Sequence, residues 1–226
     1  MESVVLLSGG LDSVVNLKCA LDAGGVHLAL TFDYGQAAFA NERTAALVSA
    51  DRYGVAHRTV DLGWYRRLLP AAIAGSEDPA DVSAGTGMDR KRLVGEAWVP
   101  NRNMVLVAIG AAFAEAGGAA QVVVGLNREE AEVFPDNSAA FLDRINRVLE
   151  VSALSQIRVT TYTGDMTKQE IVKLGVGIDA PLDVVYSCYR PSDDQRMCGI
   201  CQSCARLKAA LERNGMLAGM AGRFKT

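Results

Sequence analysis

The chain has 226 residues, half of them hydrophobic, which suits one large domain or one domain with a small appendage. Its 23 basic and 26 acidic residues give a net charge of −3, and so even a balance argues against electrostatic binding along nucleic-acid phosphates. No apolar run approaches the ~20 residues of a membrane-spanning helix, and the first residues lack the basic segment of a signal peptide. We therefore expect a cytoplasmic protein that binds neither nucleic acid nor membrane.

In the first part of the chain, short apolar runs alternate with segments of helical periodicity. Apolar runs that meet turn residues are typical of buried strands, and helical periodicity that stops at glycine is typical of amphipathic helices. These patterns predict, in chain order, strand Ser3–Leu7, a helix from Asp12 to about Ala23, strand His27–Phe32, a helix from Asn41 to about Tyr53 and strand His57–Leu62. The alternation indicates a parallel sheet with helices on both faces.

The segment from Pro70 to Trp98 interrupts this pattern. It is rich in small and polar residues, so we expect a long surface loop, either a lid or partly disordered. Beyond it we predict a buried, apolar helix Asn103–Gly117, strand Gln121–Gly125, an amphipathic helix from Asp136 to about Ser152, strand Ile157–Thr163, a helix over Thr167–Leu174 that opens on a capping-box pattern, and a last helix to about Asn214. We expect an α/β domain with five parallel strands over residues 1–180, and a metal-binding segment over 181–226 packed on the same domain.

Four of the five cysteines cluster near the C-terminus: Cys188, Cys198, Cys201 and Cys204. A disulfide framework requires an oxidising compartment, whereas four clustered thiolates suit a tetrahedral zinc site. An iron–sulfur cluster and a set of unrelated reduced thiols are the alternatives. Because four thiolates fill the zinc shell, we predict a structural ion that ties the last helix to the rim of the functional site. Cys19, on the apolar face of the first helix, is predicted to be a core residue.

The turn between the first strand and the first helix reads Leu7-Ser8-Gly9-Gly10-Leu11-Asp12-Ser13. It follows a parallel strand, at the edge where open α/β sheets bind ligands. Two glycines allow close approach of the backbone to an anion, the helix N-terminus offers N–H groups, and the serines add hydroxyl donors. The turn lacks the Walker A lysine and the dinucleotide fingerprint. It predicts a phosphate-binding loop of another kind; the alternative is a glycine turn with Asp12 as the helix cap.

Three further segments place polar residues at the ends of predicted elements: Asp33-Tyr34-Gly35-Gln36, Val99-Pro100-Asn101-Arg102-Asn103 and Phe134-Pro135-Asp136-Asn137-Ser138. The guanidinium of Arg102 suits phosphate oxygens, the carboxylate of Asp136 can accept paired N–H donors, and Phe134 offers an aromatic face. Structural roles stay open beside these: surface or helix-cap positions for Asn101, Arg102, Asn103 and Asp136, and packing for Tyr34 and Phe134.

The SGGLDS turn is similar to the pyrophosphate loop of the PP-loop ATP pyrophosphatases, or adenine-nucleotide α-hydrolases. Followed by DYGQ, VPNRN, Pro135-Asp136 and CGICQSC, it makes the chain resemble the QueC/ExsB family of 7-cyano-7-deazaguanine synthases over nearly its whole length. The resemblance implies an adenine-nucleotide α-hydrolase-like fold, ATP as a substrate with Mg²⁺, a structural Zn²⁺ and a homodimer. It assigns Asp12, Ser13 and Arg102 to catalysis, the Leu7–Ser13 loop to ATP binding, and the zinc site to the four cysteines.

The implied reaction is an ATP-dependent carbon–nitrogen ligation in queuosine biosynthesis. The family converts 7-carboxy-7-deazaguanine and ammonia to 7-cyano-7-deazaguanine (preQ0). The carboxylate attacks the α-phosphorus of ATP, ammonia displaces AMP to give an amide, and a second ATP activates the amide oxygen so that loss of AMP leaves the nitrile. The resemblance assigns substrate binding to Tyr34, Gln36, Asn101, Arg102, Phe134 and Asp136.

Two departures from the family pattern leave the acceptor open. Ala37-Ala38 replace an Arg-His pair, and the Phe134–Ser138 run lacks a tyrosine and a cysteine. We interpret the alanines as an open rim, so the alternative is an enzyme that passes the activated carboxylate to another amine, such as a protein N-terminus in an antiphage system. Two other classes are a nucleotide-sensing zinc-ribbon module, against which the acidic balance and the intact loop argue, and a thiolation enzyme with sulfur on Cys201 or Cys204.

Overall fold

A five-stranded, all-parallel sheet forms the centre of the computed structural model, which describes residues 2–77, 94–95 and 97–225. The strand order is β3-β2-β1-β4-β5. The strands are β1 Ser3–Leu6, β2 Val26–Asp33, β3 His57–Asp61, β4 Gln121–Val124 and β5 Arg158–Thr160. In register, Val5 of β1 lies between Ala29 of β2 and Val123 of β4. The predicted parallel sheet is confirmed.

Six helices longer than two turns cover the sheet within the described residues. They are α1 Leu11–Ala23, α2 Phe39–Arg52, α3 Arg102–Gly117, α4 Ala139–Ser152, α5 Lys168–Gly177 and α6 Gln202–Arg213. Shorter helical turns occupy Gly63–Leu68, Ala71–Ala74, Arg128–Ala131, Pro135–Asn137, Leu182–Val184 and Ala221–Arg223. No helix in the described ranges is both long enough and apolar enough to cross a bilayer.

The two faces of the sheet bury two separate cores, because successive strand residues point to opposite faces. Val5 packs on one face with residues of α1, α2, α5 and α6. Val4 packs on the other face with residues of α3 and α4. Both valines are fully buried. Helices therefore lie on both faces, as the alternation of strands and helices predicts.

The first core also contains the C-terminal segment. Cys188, Cys201 and Cys204 belong to it, together with Leu207 and Leu211 of α6. Near the chain end, Met197 pairs with Phe224 in a single parallel bridge. The segment after residue 180 thus packs on the α1 side of the sheet.

Three elements differ from the sequence predictions. The α3 helix buries one face only, around Val107 and Ala111, and Met104 is 36% exposed, so the expectation of a buried helix is wrong. The helix expected from Asp136 begins at Ala139, because the Ser138 hydroxyl accepts a hydrogen bond from the Phe141 N–H (3.1 Å) and caps it there.

The fifth strand is shorter than predicted. It ends at Thr160, and the Tyr162 N–H donates to the Asn16 side chain (2.8 Å) instead of to a strand. The predicted loop at 70–98 contains the helical turn Ala71–Ala74, while residues 78–93 and 96 lie outside the described residues. The capping box at Thr167 and Glu170 is confirmed.

Candidate active site

The glycine loop lies at the carboxyl end of β1, beside β4, where the strand order reverses direction. Gly9 adopts φ +79°, and a Cβ at this position would lie 2.5 Å from the Glu42 carbonyl oxygen of α2. Gly125, just after β4, approaches the first turn of α1 so closely that its Cβ would lie 2.7 Å from the Ser13 nitrogen. The loop and the helix N-terminus are therefore held against two neighbouring elements, which preorganises their N–H groups for an anion.

Hydroxyl groups and the segment before Cys188 fix the loop further. The Ser13 hydroxyl donates to the Gly10 carbonyl (3.0 Å) and accepts from the Ser8 N–H (3.2 Å). The Tyr186 N–H donates to the Gly9 carbonyl (2.9 Å), and the Ser187 hydroxyl accepts from the Leu11 N–H (3.4 Å). The segment that leads into the cysteines thus braces the loop directly.

The loop lines one wall of a cleft that we call the phosphate cleft. Its lining includes Ser8, Gly10, Asp12 and Ser13 from the loop and first turn, and it also includes the catalytic candidate Arg102 and Lys168 from other elements. Tyr34, Gln36 and Asn103 also line it. The structure thus brings the glycine loop and the VPNRN segment together, as expected for residues of one site.

Asp12 belongs to a buried cluster that sequence reasoning missed, here called the Lys168 cluster: Asp12, Asn127, Glu130 and Lys168. The Lys168 ammonium contacts Asp12 Oδ2 and lies 3.1 Å from Glu130 Oε1. The Asn127 amide donates to Asp12 Oδ2 (2.9 Å), and its own oxygen accepts from the Glu130 N–H (2.9 Å). Asn127 is fully buried and connects the Asp12 carboxylate with the backbone of Glu130.

Electrostatics keep Glu130 and Lys168 of this cluster charged. Burial acts to raise the pKa of Glu130, but the charges of Lys168 and Arg206 outweigh it and lower that pKa to about 2. Burial opposes the charge on Lys168, but Asp12 and Glu130 raise its pKa above the ordinary value. Burial raises the pKa of Asp12, and the neighbouring ammonium opposes that rise. Asp12 and Glu130 face the cations Lys168 and Arg206. Such pairing of opposite charges allows charged groups to stay ionised away from water.

One oxygen of Asp12 has no partner among the described residues. Its Oδ1 is buried and makes no hydrogen bond with any of them, although Oδ2 is contacted by both Asn127 and Lys168. A buried carboxylate oxygen left unsatisfied is costly unless a ligand completes it. Oxygen ligands suit Mg²⁺, so this atom, beside the glycine loop, fits a divalent cation.

A second cleft, the aromatic cleft, adjoins the first and is lined by Trp98, Val99, Phe134, Asp136 and Arg206, among others. The Trp98 and Phe134 rings stack on each other with centroids 6.0 Å apart. Phe134 and Trp98, which sequence reasoning missed, therefore form an aromatic pair in the lining of this cleft.

Asp136 is held rigidly in the aromatic cleft. Its Oδ2 accepts from the Asn103 N–H (3.3 Å), its Oδ1 accepts from the Asn137 amide (2.9 Å), and the Asn103 side chain donates to its carbonyl (3.1 Å). Because each carboxylate oxygen has two lone pairs, one acceptor position on each remains for a ligand. Burial raises the pKa of Asp136, and the charge of Arg102 opposes this.

Arg102 stands where the two clefts meet. Both clefts are lined by Arg102, Glu130, Tyr189 and Ser203. The Arg102 guanidinium lies over the Tyr34 ring, 5.9 Å from its centroid, and its Nη1 donates to the Tyr34 hydroxyl (3.4 Å). Burial acts against the charge on Arg102, but Tyr34 and Asp136 raise its pKa, so it stays a cation.

Gln36 and Asn101, two of the predicted substrate residues, lie in surroundings that differ from those expected of a substrate-binding side chain. Gln36 lines the phosphate cleft, but its amide nitrogen donates to the Phe32 carbonyl (3.0 Å) and to Glu42 (2.9 Å), and its oxygen accepts from the Tyr34 N–H (3.0 Å). Its polar atoms thus hold the DYGQ turn. Asn101 is exposed at the N-terminus of α3, with φ 52°, and does not line either cleft.

The expectation of an open rim at Ala37-Ala38 is wrong. Ala38 is buried in the core on the α1 side, and the Ala37 N–H donates to the Ile73 carbonyl (2.8 Å). Small side chains are needed here because a helical turn packs directly on them: the Cβ of Ala37 lies 2.7 Å from where a Gly75 Cβ would stand.

The four clustered cysteines have the geometry of a metal centre. All four Sγ atoms lie within 4.8 Å of one another; Cys188 and Cys201 are 4.0 Å apart, and Cys198 and Cys204 are 3.8 Å apart. A tetrahedron with zinc–sulfur bonds of ~2.3 Å has edges of ~3.8 Å. Backbone N–H groups of Arg190 and Cys198 donate to the Cys188 sulfur (3.4 Å each), as suits a thiolate. The cluster can hold one metal ion. Cys19 packs against the core, as expected.

The missed residues carried weak signals in the sequence. Lys168 stands inside the T-x-x-E capping pattern, which explained the segment as a helix start. Asn127 and Glu130 follow the fourth strand, and Glu42 lies in the first turn of α2. Glu42 lines the phosphate cleft, and burial raises its pKa. Only their position after strand ends pointed to the ligand-binding edge.

Comparisons with known proteins agree on one family. The family model described as queuosine biosynthesis protein QueC matches residues 2–215. A 7-cyano-7-deazaguanine synthase from Pelotomaculum thermopropionicum is 42% identical over 220 residues, covering 96% of this chain and 99% of the relative. One from Methanothermobacter thermautotrophicus is 40% identical over 217 residues, covering 96% of each. The agreement over nearly the whole chain shows that this protein belongs to the QueC family.

Proposed function

We propose that this protein activates 7-carboxy-7-deazaguanine with ATP and converts it with ammonia to 7-cyano-7-deazaguanine in queuosine biosynthesis. The observation that carries the proposal is the meeting of two clefts at Arg102, Glu130, Tyr189 and Ser203. One cleft is built around a phosphate-binding loop, and the other presents stacked aromatic rings and a carboxylate. An adenylation needs this arrangement, because the α-phosphorus of ATP and the carboxylate of the second substrate must meet. The relatives carry the name of the same activity.

The phosphate cleft would hold ATP by its β- and γ-phosphates. The N–H groups of the loop and of the α1 N-terminus point to this role, and the Ser13 hydroxyl keeps the loop in shape. The substrate carboxylate attacks the α-phosphorus, the acyl–phosphate bond forms, and pyrophosphate leaves with the electrons of the broken P–O bond. Arg102, a buried cation at the junction, is placed to neutralise charge on the α-phosphate.

The aromatic cleft would hold the deazaguanine ring. Asp136 has one free acceptor position on each oxygen, which suits paired donation from the ring N1–H and the exocyclic amine. Phe134 and Trp98 offer faces for stacking. Tyr34 holds the Arg102 guanidinium, and Gln36 holds the turn that carries Tyr34. We assign Asn101 no direct contact, since it lies outside both clefts.

Two metal ions complete the proposal. Asp12 Oδ1 fits Mg²⁺, which would supply charge neutralisation on the ATP phosphates. The four cysteines fit a structural Zn²⁺, and their close spacing favours a single ion over an iron–sulfur cluster, in which the four thiolates are spread over two or four irons. Cys201 and Cys204 are fully buried, which argues against a thiolation enzyme that carries sulfur on them.

A direct assay tests the reaction. The purified protein, given ATP, Mg²⁺, the 7-carboxylate and ammonium, should produce the nitrile, AMP and pyrophosphate, all detectable by mass spectrometry and chromatography. Formation of AMP without nitrile, with the carboxylate transferred to a protein amine, would instead support the alternative acceptor. Formation of ADP alone would contradict the proposal. Light scattering at several concentrations tests the homodimer that the family resemblance predicts.

A further inference from the structure

The ammonium of Lys168 lies in the phosphate cleft, and several contacts restrain this residue. Lys168 is the first residue of α5, and the capping box between Thr167 and Glu170 fixes that helix start. The Lys168 N–H donates to Glu129 (2.9 Å), so the backbone of this residue is anchored to the segment after β4 as well. Its side chain is only 15% exposed and lines the cleft beside Asp12 and Ser13. Backbone and side chain are thus both restrained.

The carboxylates of Asp12 and Glu130 both contact the Lys168 ammonium, but their other contacts differ. Glu130 is also approached by Arg206 (3.7 Å), and its backbone is tied to Asn127 (2.9 Å). Asp12 has the unpartnered Oδ1, so it is the carboxylate that another cation would engage. If Asp12 binds the cation that accompanies ATP, Glu130 still holds Lys168 in position. The lysine would then face the phosphates with its charge no longer cancelled by Asp12.

This arrangement has a clear electrostatic consequence for an adenylation. Negative charge accumulates on the α-phosphate oxygens and on the departing pyrophosphate in the transition state. A buried cation that needs no reorganisation stabilises such charge far more than one in water. Asp12 and Glu130 raise the pKa of Lys168, so the ammonium neutralises charge and keeps its proton during the step.

We propose that Lys168 is a catalytic residue that contacts the reacting phosphates of ATP, with Glu130 as the positioning residue that retains the ammonium when Asp12 binds a cation. This inference rests on the proposed function, since it presumes an attack on the α-phosphorus. The bond between the carboxylate oxygen and phosphorus forms, the bond to the pyrophosphate oxygen breaks, and the lysine keeps its proton throughout.

Carboxylate-dependent exchange of labelled pyrophosphate into ATP tests the proposal. Lys168→Met should lower the exchange kcat by at least about 100-fold, with a change in KM for ATP below about 10-fold, because the loss concerns the transition state. Lys168→Arg, which keeps the charge, should retain more activity than Lys168→Met. The matched control is Lys18→Met: Lys18 also pairs with an aspartate, Asp22, but on the outer side of α1, and its loss should leave exchange unchanged.

A double variant separates catalysis from folding. Lys168→Met alone leaves two buried carboxylates without their ammonium, which can destabilise the fold. Lys168→Met with Glu130→Gln removes one negative charge as well and should restore the melting temperature, but exchange should stay at least about 100-fold below wild type. Exchange restored to the wild-type rate in the double variant, or unchanged in Lys168→Met, would overturn the role of Lys168. If the wild-type protein itself showed no carboxylate-dependent exchange, the proposed function would fail, and this inference with it.

Discussion

Single residues in this protein are constrained by what packs against them, and Gly125 shows this most directly. A Cβ here would lie 2.7 Å from the backbone nitrogen of Ser13, with no flexible atom to move aside. Gly125→Ala should push the first turn of α1 away from β4, lower stability by about 1–3 kcal/mol and weaken ATP binding at least about 10-fold. Thermal melting and nucleotide titration measure the two effects.

The control is another glycine. Gly177, the last residue of α5, has open space around its Cβ position, so Gly177→Ala should leave ATP binding unchanged and keep or slightly raise the melting temperature. Equal effects of the two substitutions would contradict the packing argument.

Glu130 should make stability depend on pH. Its pKa is lowered to about 2 from 4.5 in the folded protein, because Lys168 and Arg206 outweigh the effect of burial. The stabilisation is therefore complete above pH ~4.5 and is lost as the pH falls toward 2. Glu130→Gln should lower the urea unfolding midpoint more at pH 6 than at pH 3. A deficit of the same size at both pH values would show that the ionised carboxylate is not responsible.

Glu150 provides the comparison for that experiment. It is exposed on α4, so Glu150→Gln should leave the urea midpoint at pH 6 within error of wild type.

At the scale of one element, the start of α5 connects stability with the site. The Thr167 hydroxyl accepts from the Glu170 N–H (3.3 Å), and the Glu170 carboxylate accepts from the Thr167 N–H (2.7 Å). Thr167→Ala should cost about 0.5–2 kcal/mol, measured by urea unfolding, and should lower the turnover number because Lys168 begins the helix.

Thr44→Ala is the matched control. Thr44 lies within α2, exposed, and its hydroxyl only donates back to the Ala40 carbonyl (2.8 Å). Its substitution should change stability by less than about 0.5 kcal/mol and leave turnover unchanged. If Thr167→Ala were equally silent, the capping box would have no part in placing Lys168.

For the whole molecule, the cysteine cluster is the main constraint on the C-terminal segment. Three of its cysteines belong to the core on the α1 side, and Tyr186 and Ser187 connect the same segment to the glycine loop. Removal of the metal by a strong chelator, or Cys204→Ser, should lower the melting temperature by at least about 10 °C and abolish nucleotide binding. Elemental analysis should find one zinc per chain before treatment and none after it.

Cys19→Ser controls for the loss of a thiol. Cys19 packs at the edge of the core and lies apart from the cluster, so its replacement should leave the zinc content unchanged. Metal-free protein that melts and binds nucleotide like the untreated protein would refute the structural role.

How far the sequence predicts this molecule can be judged from particular segments. The alternation of apolar runs and helical periodicity predicted the parallel sheet, and the spacing of Cys188, Cys198, Cys201 and Cys204 predicted a site that could hold a metal. The glycine loop was predicted at its correct place after β1. These features depend on residues close together in the chain, where propensity, turn chemistry and ligand spacing act.

Other features exist only because distant segments meet. Lys168 contacts Asp12 across 156 positions of sequence, and Asn127 joins the Asp12 carboxylate to the backbone of Glu130 in another element. The capping pattern around Lys168 predicts a helix start but does not predict which side chains contact the Lys168 ammonium. The small residues Ala37 and Ala38 are compatible with either an open rim or tight packing. The sequence by itself determined the order of the strands and main helices, the place of the glycine loop and the cluster of four cysteines that could hold a metal. The tertiary structure decided which charges are buried together, because burial and pairing depend on what packs across the cleft.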